Sequence, residues 1–366
     1  MNQASGKLPT DIEGIDADWL TDALRRSGRL KAGERAEIIN VKPLSAGAAF
    51  ATKMYRMQLS GPGLPSSVII KLPVTTQVRQ ILDGSGSYMR EVTFYREFAT
   101  ETPVRVPGSY VAEFESATGN MVLIIEDLAP LTPNDQLAGL TMQQAESVVD
   151  NLARFHAWSW EHPRLQQCAD RFWPIDSVKG RAFLEQFGQF FAMTWPAALK
   201  TEGTGLSDKV REFGTHLLAL TPFFIDRLAA PHTIIHGELR SENLFFDHDG
   251  SLILIDFQLM GQGSGLFDVS YLLSQSLATE VRRGHDERLI RRYWDGLVAA
   301  GVRNFPWELA WEQYRLGVAY NLVMPGLAFS AYEYADQRTR ALLLQMLSRA
   351  SAAIEDNASL DLLPAM

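Results

Sequence analysis

The feature that most constrains the fold of this chain is a polar loop, residues 236–243, set between short apolar runs. An apolar pair, residues 234–235, leads into the loop, and a later apolar run, residues 253–255, stops abruptly at Asp256. Residues 247–250, Asp-His-Asp-Gly, are typical of a tight turn. The pattern therefore predicts a strand, the polar loop and a hairpin that ends in an acid.

The polar loop and the acid together suggest a site for a hard metal ion. Asp256 follows thirteen residues after Asn243, and a hairpin brings the two ends of such a stretch near each other. Amide and carboxylate oxygens suit Mg²⁺ better than a soft metal.

The motif also resembles that of a known group of phosphotransferases. The chain reads His-Gly-Glu from His236, four further residues, Asn243, and then Ile-Asp-Phe-Gln ending at Gln258. Aminoglycoside and choline kinases carry His-Gly-Asp, four residues, Asn and then Ile-Asp-Phe or Ile-Asp-Trp. Protein kinases carry a related His-Arg-Asp loop followed by Asp-Phe-Gly. The Asp-Phe-Gln ending is most similar to the ecdysteroid-kinase-like subgroup.

This resemblance implies an α+β, bilobal, protein-kinase-like fold. Residues 1–128 would form the N-terminal nucleotide-binding lobe, an antiparallel sheet with a helix. Residues 129–366 would form a larger, mostly helical C-terminal lobe for catalysis and substrate binding. A chain of 366 residues with 46% hydrophobic residues can bury a core large enough for two lobes.

The N-terminal third contains the residues that the family uses to hold nucleotide phosphates. Gly47 lies in a turn of small residues that corresponds to the glycine-rich hairpin over the phosphates, although one glycine alone also fits an ordinary hairpin. Lys71 lies on the apolar strand of residues 68–73 and corresponds to the lysine that binds the α- and β-phosphates. Glu91, on a helical pattern, is the expected partner of this lysine, and Glu97 is the competing choice.

A hinge for the adenine ring is expected where the apolar run of residues 121–125 enters Glu126-Asp127-Leu128. In the family this segment offers backbone groups to the adenine edge, so Glu126 and Leu128 are candidate nucleotide contacts. The sequence does not show which backbone group makes the contact.

The family's catalytic and metal-binding roles transfer to five residues of the motif. Asn243 and Asp256 would ligate Mg²⁺, and Glu238 would accept or orient the proton of the substrate hydroxyl. Arg240 would contact phosphate or substrate, or pair with a nearby acid. His236 would brace the loop by hydrogen bonding rather than act as a base.

Two further residues are expected to support the polar loop. His156 lies on an apolar helical stripe, where a packed histidine is favoured over a metal ligand. Asp268 is expected to cap a helix and to buttress the loop, after a flexible glycine-rich stretch at residues 261–265. This stretch replaces the long activation segment of protein kinases, which favours a small-molecule kinase over a protein kinase.

The acceptor is expected to be a small hydroxylated molecule, and the sequence weakly favours an apolar one. Residues 317–326 are too apolar for a site that binds a polycationic aminoglycoside. Most aromatic residues of the C-terminal third should belong to the core, with Tyr320 and Tyr332 as candidates for an acceptor pocket.

Composition excludes several other classes of protein. A net charge of −9 argues against nucleic-acid binding, which requires a basic face. The single cysteine, Cys168, excludes an internal disulfide and fits a reducing compartment. Neither a membrane-spanning run nor a signal pattern is evident, so a cytoplasmic location without membrane contact is expected. The oligomeric state stays open.

One residue conflicts with the family motif. Glu238 occupies the position of the catalytic aspartate, and its carboxylate lies one carbon–carbon bond, ~1.5 Å, farther from the backbone. The cofactors that the resemblance implies are ATP and Mg²⁺. The leading hypothesis is an active or slow small-molecule kinase, and the alternative is a catalytically impaired kinase fold that binds nucleotide or another ligand.

Overall fold

The computed structural model describes residues 7–44, 52–74, 79 and 84–364. The chain divides into two compact units. The first unit comprises Met1–Thr132 together with Ile255–Leu259, and the second comprises Pro133–Leu254 together with Met260–Met366. A short segment that follows the polar loop in sequence thus belongs to the first unit.

The first unit is built on a five-stranded antiparallel sheet. Its strands, in the spatial order β1-β2-β3-β5-β4, are β1 Glu37–Pro43, β2 Thr52–Ser60, β3 Ser67–Pro73, β4 Ser109–Glu115 and β5 Asn120–Glu126. The predicted hairpin around residues 118–120 is confirmed by the pairing of β4 with β5. Strands β3 and β5 are buried over almost their whole length, which matches their continuous runs of Val, Ile and Leu.

Two α-helices that lie wholly within the described residues of the first unit accompany this sheet. Helix α1, Ala17–Arg26, begins as predicted, because the side chain of Asp16 accepts the N–H of Trp19 and so caps the first turn. Helix α2, Ser87–Glu97, buries most of its residues and packs against β4 and β5. The hydrophobic core between α1 and the sheet includes Leu20, Met57 and Ile70.

The second unit is mainly helical. Its α-helices are α3 Met142–Ser159, α4 Pro163–Gln167, α5 Val178–Lys200, α6 Asp208–Leu228, α7 Leu266–Ser276, α8 Thr279–Arg282, α9 Asp286–Ala299, α10 Trp307–Tyr320, α11 Val323–Ala328 and α12 Gln337–Asp356. Short 3₁₀ turns add Ser241–Asn243, Phe329–Ala331 and Ser359–Leu362, and Ile12–Gly14 is a similar turn of the first unit. Together with the sheet, these helices confirm the predicted α+β class.

Two small antiparallel ribbons flank the polar loop. Strand β6, Thr233–Ile235, pairs with β9, Gly261–Gly263, and β7, Leu244–Phe246, pairs with β8, Leu252–Leu254. The loop therefore starts at the end of β6 and finishes at the start of β7, as the apolar runs predicted.

The glycines at 261–263 are a strand, so the predicted flexible loop is wrong there. A Cβ on Gly261 would lie 3.3 Å from the carbonyl oxygen of Trp173, and one on Gly263 would lie 3.2 Å from Ile175. Glycine is present because neighbouring chain segments approach β9 closely, and both residues are buried.

The core takes fewer aromatic residues of the C-terminal third than predicted, because Trp294, Trp307 and Trp311 are only partly buried and Tyr334 is exposed. Tyr293, Tyr314 and Tyr320 are buried, and the ring of Tyr320 packs against Phe224 and Phe267. Tyr332 is only partly buried and stacks on Phe329. Cys168 is a buried thiol that accepts a hydrogen bond from Arg171. Within the described part of the chain, no helix combines the length and the hydropathy needed to cross a membrane.

Candidate active site

The first unit contains a buried ion-pair cluster that we call the lysine cluster, defined as Lys71, Glu91 and Asp256. Lys71 lies in the middle of β3, and its Nζ is 2.6 Å from Glu91 Oε1 and 3.2 Å from Asp256 Oδ1. Glu91 is fully buried on α2 and Lys71 is nearly so. Of the two glutamates considered for this lysine, the structure pairs it with Glu91.

Electrostatics keep the ammonium group of Lys71 charged. Burial alone would lower the pKa of Lys71, but the carboxylates of Asp256 and Glu91 outweigh that cost and raise it above its ordinary value. One oxygen of Glu91, Oε2, has no hydrogen-bond partner among the described residues. The cluster thus holds two carboxylates with one cation.

Asp256 occupies an unusual backbone conformation. Its φ of 69° lies in the left-handed region, which non-glycine residues rarely adopt and which is most accessible to Asn and Asp. The next residue, Phe257, stacks on Phe94 of α2 with ring centroids 3.5 Å apart. The stacked ring anchors the segment, so the strained residue directs its carboxylate at Lys71.

The predicted hinge segment is held by side chains at the end of β5. Glu126 accepts a hydrogen bond from Arg105, and its other oxygen accepts the N–H of Gly108 at 3.0 Å. Leu128, the other candidate nucleotide contact, follows two residues later and accepts the N–H of Leu131 through its C=O.

Asp127, between these two residues, accepts more hydrogen bonds than Glu126 does. It accepts two hydrogen bonds from the guanidinium of Arg56 and one each from Ser67 and the N–H of Ala129. Burial alone would raise the pKa of Asp127, but the hydrogen bonds from Ser67 and Arg56 dominate and lower it. No local sequence pattern marks a role for Asp127, because its partner Arg56 lies 71 positions away.

The second unit contains the polar loop, whose backbone is held by hydrogen bonds to the side chain of Asp268. Its carboxylate accepts the N–H of His236 at 2.6 Å and the N–H of Gly237 at 2.9 Å. His156 completes the network, with Nε2 3.3 Å from Asp268 Oδ2 and Nδ1 2.8 Å from the hydroxyl of Tyr293. All these side chains are buried. The structural roles expected for Asp268 and His156 are therefore confirmed.

The prediction that Asp268 caps a helix is wrong in its detail. Helix α7 begins two residues earlier, at Leu266, with Gly265 before it. Asp268 therefore lies inside the first turn. Its side chain is turned towards the N–H groups of the polar loop and away from those of its own helix.

The acids of the polar loop surround Arg240. Its guanidinium lies 3.4 Å from Glu238 and 2.9 Å from Glu242, with about a quarter of the Glu238 side chain exposed. The N–H of Glu238 donates to His236 Nδ1 at 3.3 Å, and His236 itself is buried. The loop thus places a partly exposed carboxylate beside a cation.

Asn243 is oriented by the same loop. Its Nδ2 donates to the C=O of Glu238 at 2.8 Å, and its N–H donates to the C=O of Arg240 at 2.9 Å. Because the amide nitrogen is engaged, the amide oxygen is the group left for a ligand. Asn243 belongs to the second unit and Asp256 to the first.

These side chains fit the groups that the family motif implies. The amide oxygen of Asn243 and the partly exposed carboxylate of Asp256 are hard oxygen donors suited to Mg²⁺. The charged Lys71 suits a phosphate oxygen. Gly47, the remaining candidate for phosphate binding, lies outside the described residues.

Comparison with known proteins links this chain to a kinase-like family. The model of the ecdysteroid kinase-like family matches residues 46–302. A kinase-like protein of Caenorhabditis elegans is 21% identical over 280 residues, which cover 70% of this chain and 73% of that protein.

Solved structures show the same fold at low sequence identity. An aminoglycoside 2′-phosphotransferase in complex with GDP aligns with a TM-score of 0.55 at 15% identity, over 86% of this chain and 92% of that chain. Choline kinase of Cryptosporidium parvum aligns with a TM-score of 0.55 at 10% identity, over 89% of this chain and 91% of that chain. A microcompartment-associated aminopropanol kinase aligns with a TM-score of 0.53 at 14% identity, over 86% and 90% of the two chains. The predicted kinase-like fold is confirmed.

Proposed function

Because the chain belongs to the ecdysteroid kinase-like family, we propose that it transfers the γ-phosphoryl group of ATP to a hydroxyl group of a small molecule. The observation that carries this proposal is the lysine cluster, in which a buried lysine is held between a helix glutamate and the acid of the Asp-Phe-Gln segment. Burying an ammonium group costs free energy. Binding of the nucleotide phosphates is a function that explains why a lysine is placed there.

The nucleotide would bind to residues of the first unit. Lys71 would hold the α- and β-phosphates, with Glu91 fixing its position. The backbone of the segment from Glu126 to Leu128 would contact the adenine edge, and Gly47 would lie over the phosphates. Residues 1–128 would then form the nucleotide-binding lobe and residues 129–366 the lobe for the acceptor.

The chemistry would be completed by the motif residues. Asn243 and Asp256 would bind Mg²⁺, which neutralises charge on the phosphates when it is present. The acceptor oxygen forms a bond to the γ-phosphorus, the bond to the ADP oxygen breaks, and the hydroxyl proton passes to the carboxylate of Glu238. Arg240, 3.4 Å from Glu238, would steady that carboxylate and offer its charge to the transferred group.

We propose an apolar, hydroxylated acceptor such as a steroid, a terpenoid or an acyl derivative. The apolar residues of the C-terminal helices support this class over a polycationic aminoglycoside. Tyr332, which is partly exposed, is a candidate to line the acceptor pocket, whereas the burial of Tyr320 assigns it to the core.

The test is ADP release from Mg·ATP in the presence of a panel of hydroxylated apolar compounds, with choline and aminoglycosides as comparison acceptors. We expect acceptor-dependent ADP release from the apolar panel, and Asp256→Ala should lower it at least about 10²-fold. Full activity of Asp256→Ala would contradict the metal assignment. Asp295→Ala, an exposed acid of α9, is the matched control.

Glu238 favours a second candidate, a kinase fold that binds nucleotide or another ligand without turnover. Its longer side chain is drawn towards Arg240, so the carboxylate is already engaged by a cation. In that case neither the natural protein nor Glu238→Asp would release ADP with any acceptor, although both would bind Mg·ATP. Turnover by the natural protein contradicts this candidate.

A further inference from the structure

A second support of the polar loop lies at the start of the second unit, in residues 133–140, which we call the strap. Within the strap, Gln136 is fully buried. Its Oε1 accepts the N–H of Ser241 at 2.8 Å, and its Nε2 donates to the C=O of Gln275 at 2.8 Å. A single amide thus joins the polar loop to the end of helix α7.

The N–H group that donates to Gln136 belongs to the first residue of the short turn that carries Asn243. Ser241 begins the 3₁₀ turn Ser241–Asn243, and its N–H is shared with the hydroxyl of Ser276 at 3.0 Å. Asn243 in turn donates its amide to the C=O of Glu238. A shift of Ser241 would therefore move Asn243 and, through it, the backbone of Glu238.

The strap also contacts the loop at its far end. Asn134 donates its Nδ2 to the C=O of Leu244 at 2.8 Å and accepts a hydrogen bond from Gln144 of α3. The strap thus reaches the loop at two points, one before and one after Asn243. Two contacts fix both the position and the direction of the short turn between them.

The strap is itself held by helix α12. The guanidinium of Arg349 is buried and donates to the C=O of Gln136 at 2.7 Å and to the C=O of Leu137 at 2.9 Å. At the exposed end of the strap, Arg338 pairs with Asp135 at 2.8 Å. These contacts hold the backbone of Gln136 in place, so its side chain can fix the position of Ser241.

Close packing leaves the strap no room to shift along α7. The N–H of Leu140 donates to the C=O of Ser276 at 2.7 Å. Gly139 has a φ of 78°, and a Cβ there would lie 2.9 Å from the same carbonyl oxygen. Glycine is required at this position on both counts.

We propose that Gln136 is a positioning residue for phosphoryl transfer, which sets the geometry of Asn243 and Glu238 through the N–H of Ser241. This inference rests on the proposed function, since it assigns a purpose to the fixed geometry of the loop. Gln136 touches neither nucleotide nor acceptor. It would act on a bound Mg²⁺ ion only through the position of Asn243, so its loss should weaken Mg²⁺ binding as well as turnover.

The test compares three variants. Gln136→Met removes both hydrogen bonds while keeping the length of the side chain, and Gln136→Glu keeps an acceptor for Ser241. Gln313→Met is the matched control, because Gln313 is an equally buried glutamine that bonds Ser264, Arg227 and Ala230, away from the polar loop. Each is measured for kcat, for KM of ATP, for the Mg²⁺ concentration at half-maximal rate and for thermal midpoint.

We expect Gln136→Met to lower kcat and to raise the half-saturating Mg²⁺ concentration, each by about 10- to 100-fold. The KM of ATP at saturating Mg²⁺ should change less than threefold, and Gln136→Glu, which keeps the acceptor for Ser241 but loses the donor to Gln275, should recover part of the loss. Gln313→Met should lower the thermal midpoint to a similar extent while leaving the Mg²⁺ dependence unchanged. Equal Mg²⁺ dependence in Gln136→Met and Gln313→Met would overturn the proposal.

Failure of the proposed function can be told apart from failure of this inference. If the natural protein transfers phosphate to no acceptor, the function fails, and hydrogen–deuterium exchange of residues 241–243 then decides the inference. Faster exchange in Gln136→Met than in both the natural protein and Gln313→Met would still support Gln136 as the residue that positions the loop. Equal exchange in all three would overturn it.

Discussion

The lysine cluster and the polar loop are held in place by different forces. In the lysine cluster, the buried Glu91 and the partly exposed Asp256 flank one buried ammonium group, and charge fixes all three. In the polar loop, the charged side chains are partly exposed, and the backbone is fixed from behind by Asp268 and Gln136. The ion pairs of the lysine cluster are already formed without a bound ligand. The polar loop, in contrast, leaves its functional side chains accessible to a substrate.

This contrast has an energetic basis. Removing one partner of a buried ion pair leaves an uncompensated charge, which costs several kcal/mol. Partly exposed pairs such as Arg240 with Glu238 contribute little, because water and salt screen them. We therefore expect mutations in the lysine cluster to affect folding as well as activity, and mutations of Glu238 or Arg240 to affect activity alone.

The largest effect is expected for Lys71→Met. It leaves the buried Glu91 and the partly exposed Asp256 without their cation and should lower the free energy of unfolding by about 3–5 kcal/mol in urea titration. Adding Glu91→Gln should recover part of that loss, because the remaining pair is then neutral on one side. Lys209→Met, at an exposed position of α6, is the control and should change little. A Lys71→Met protein as stable as the natural one would show that charge does not hold the cluster.

A smaller effect is expected for Glu238→Gln in the polar loop. The carboxamide keeps the shape but cannot accept the proton, so kcat should fall about 10²-fold, equal to about 2.7 kcal/mol. The KM of ATP and the free energy of unfolding should stay unchanged, since the side chain is partly exposed. A large decrease in the free energy of unfolding would contradict the view that the Glu238 side chain contributes little to stability.

Asp268→Asn tests the support behind the loop. A carboxamide offers one good acceptor in place of the two oxygens that bind the N–H groups of His236 and Gly237. Leaving one buried N–H without a partner should cost about 1–3 kcal/mol of unfolding free energy and should reduce kcat. Asp295→Asn, an exposed acid, serves as the control. Unchanged stability and activity together would mean that the loop is held elsewhere.

The smallest effect concerns pH and the charge network of the first unit. Because hydrogen bonds from Ser67 and Arg56 lower the pKa of Asp127, its contribution is fully present above the ordinary pKa of 3.8 and is lost as the pH falls through the lowered value. Asp127→Asn should remove about 1–2 kcal/mol at pH 7. Its stability should then fall less steeply than that of the natural protein below about pH 4. Parallel acid curves would show that Asp127 is not the group involved.

Local patterns predicted much of the fold, whereas partners distant in sequence were missed. The strand that carries Lys71, the helix that carries Glu91 and the strands around the polar loop each show a clear apolar period. The family motif then supplied roles for Asp256 and Asn243, which remain predictions. Periodicity carries such information because it depends on near neighbours alone.

Contacts between distant segments left no comparable signal. Gln136 lies 105 positions before Ser241, and a single glutamine in a loop marks no pattern. The glycines of β9 predict a flexible loop because glycine is typical of loops, whereas in the structure they form a strand that close neighbours can approach. In both cases tertiary packing decided the outcome.

The division of the first unit in sequence has a consequence for synthesis and for dissection of this protein. Lys71 and Asp256 are separated by 185 positions, so a growing chain exposes the ammonium group long before its second carboxylate exists. A fragment that stops at Thr132 also lacks Phe257, the ring that stacks on Phe94. Truncation at the apparent boundary would thus yield a sheet in which Lys71 keeps Glu91 but has lost Asp256. Nucleotide binding measured on such a fragment would differ from that of the intact protein.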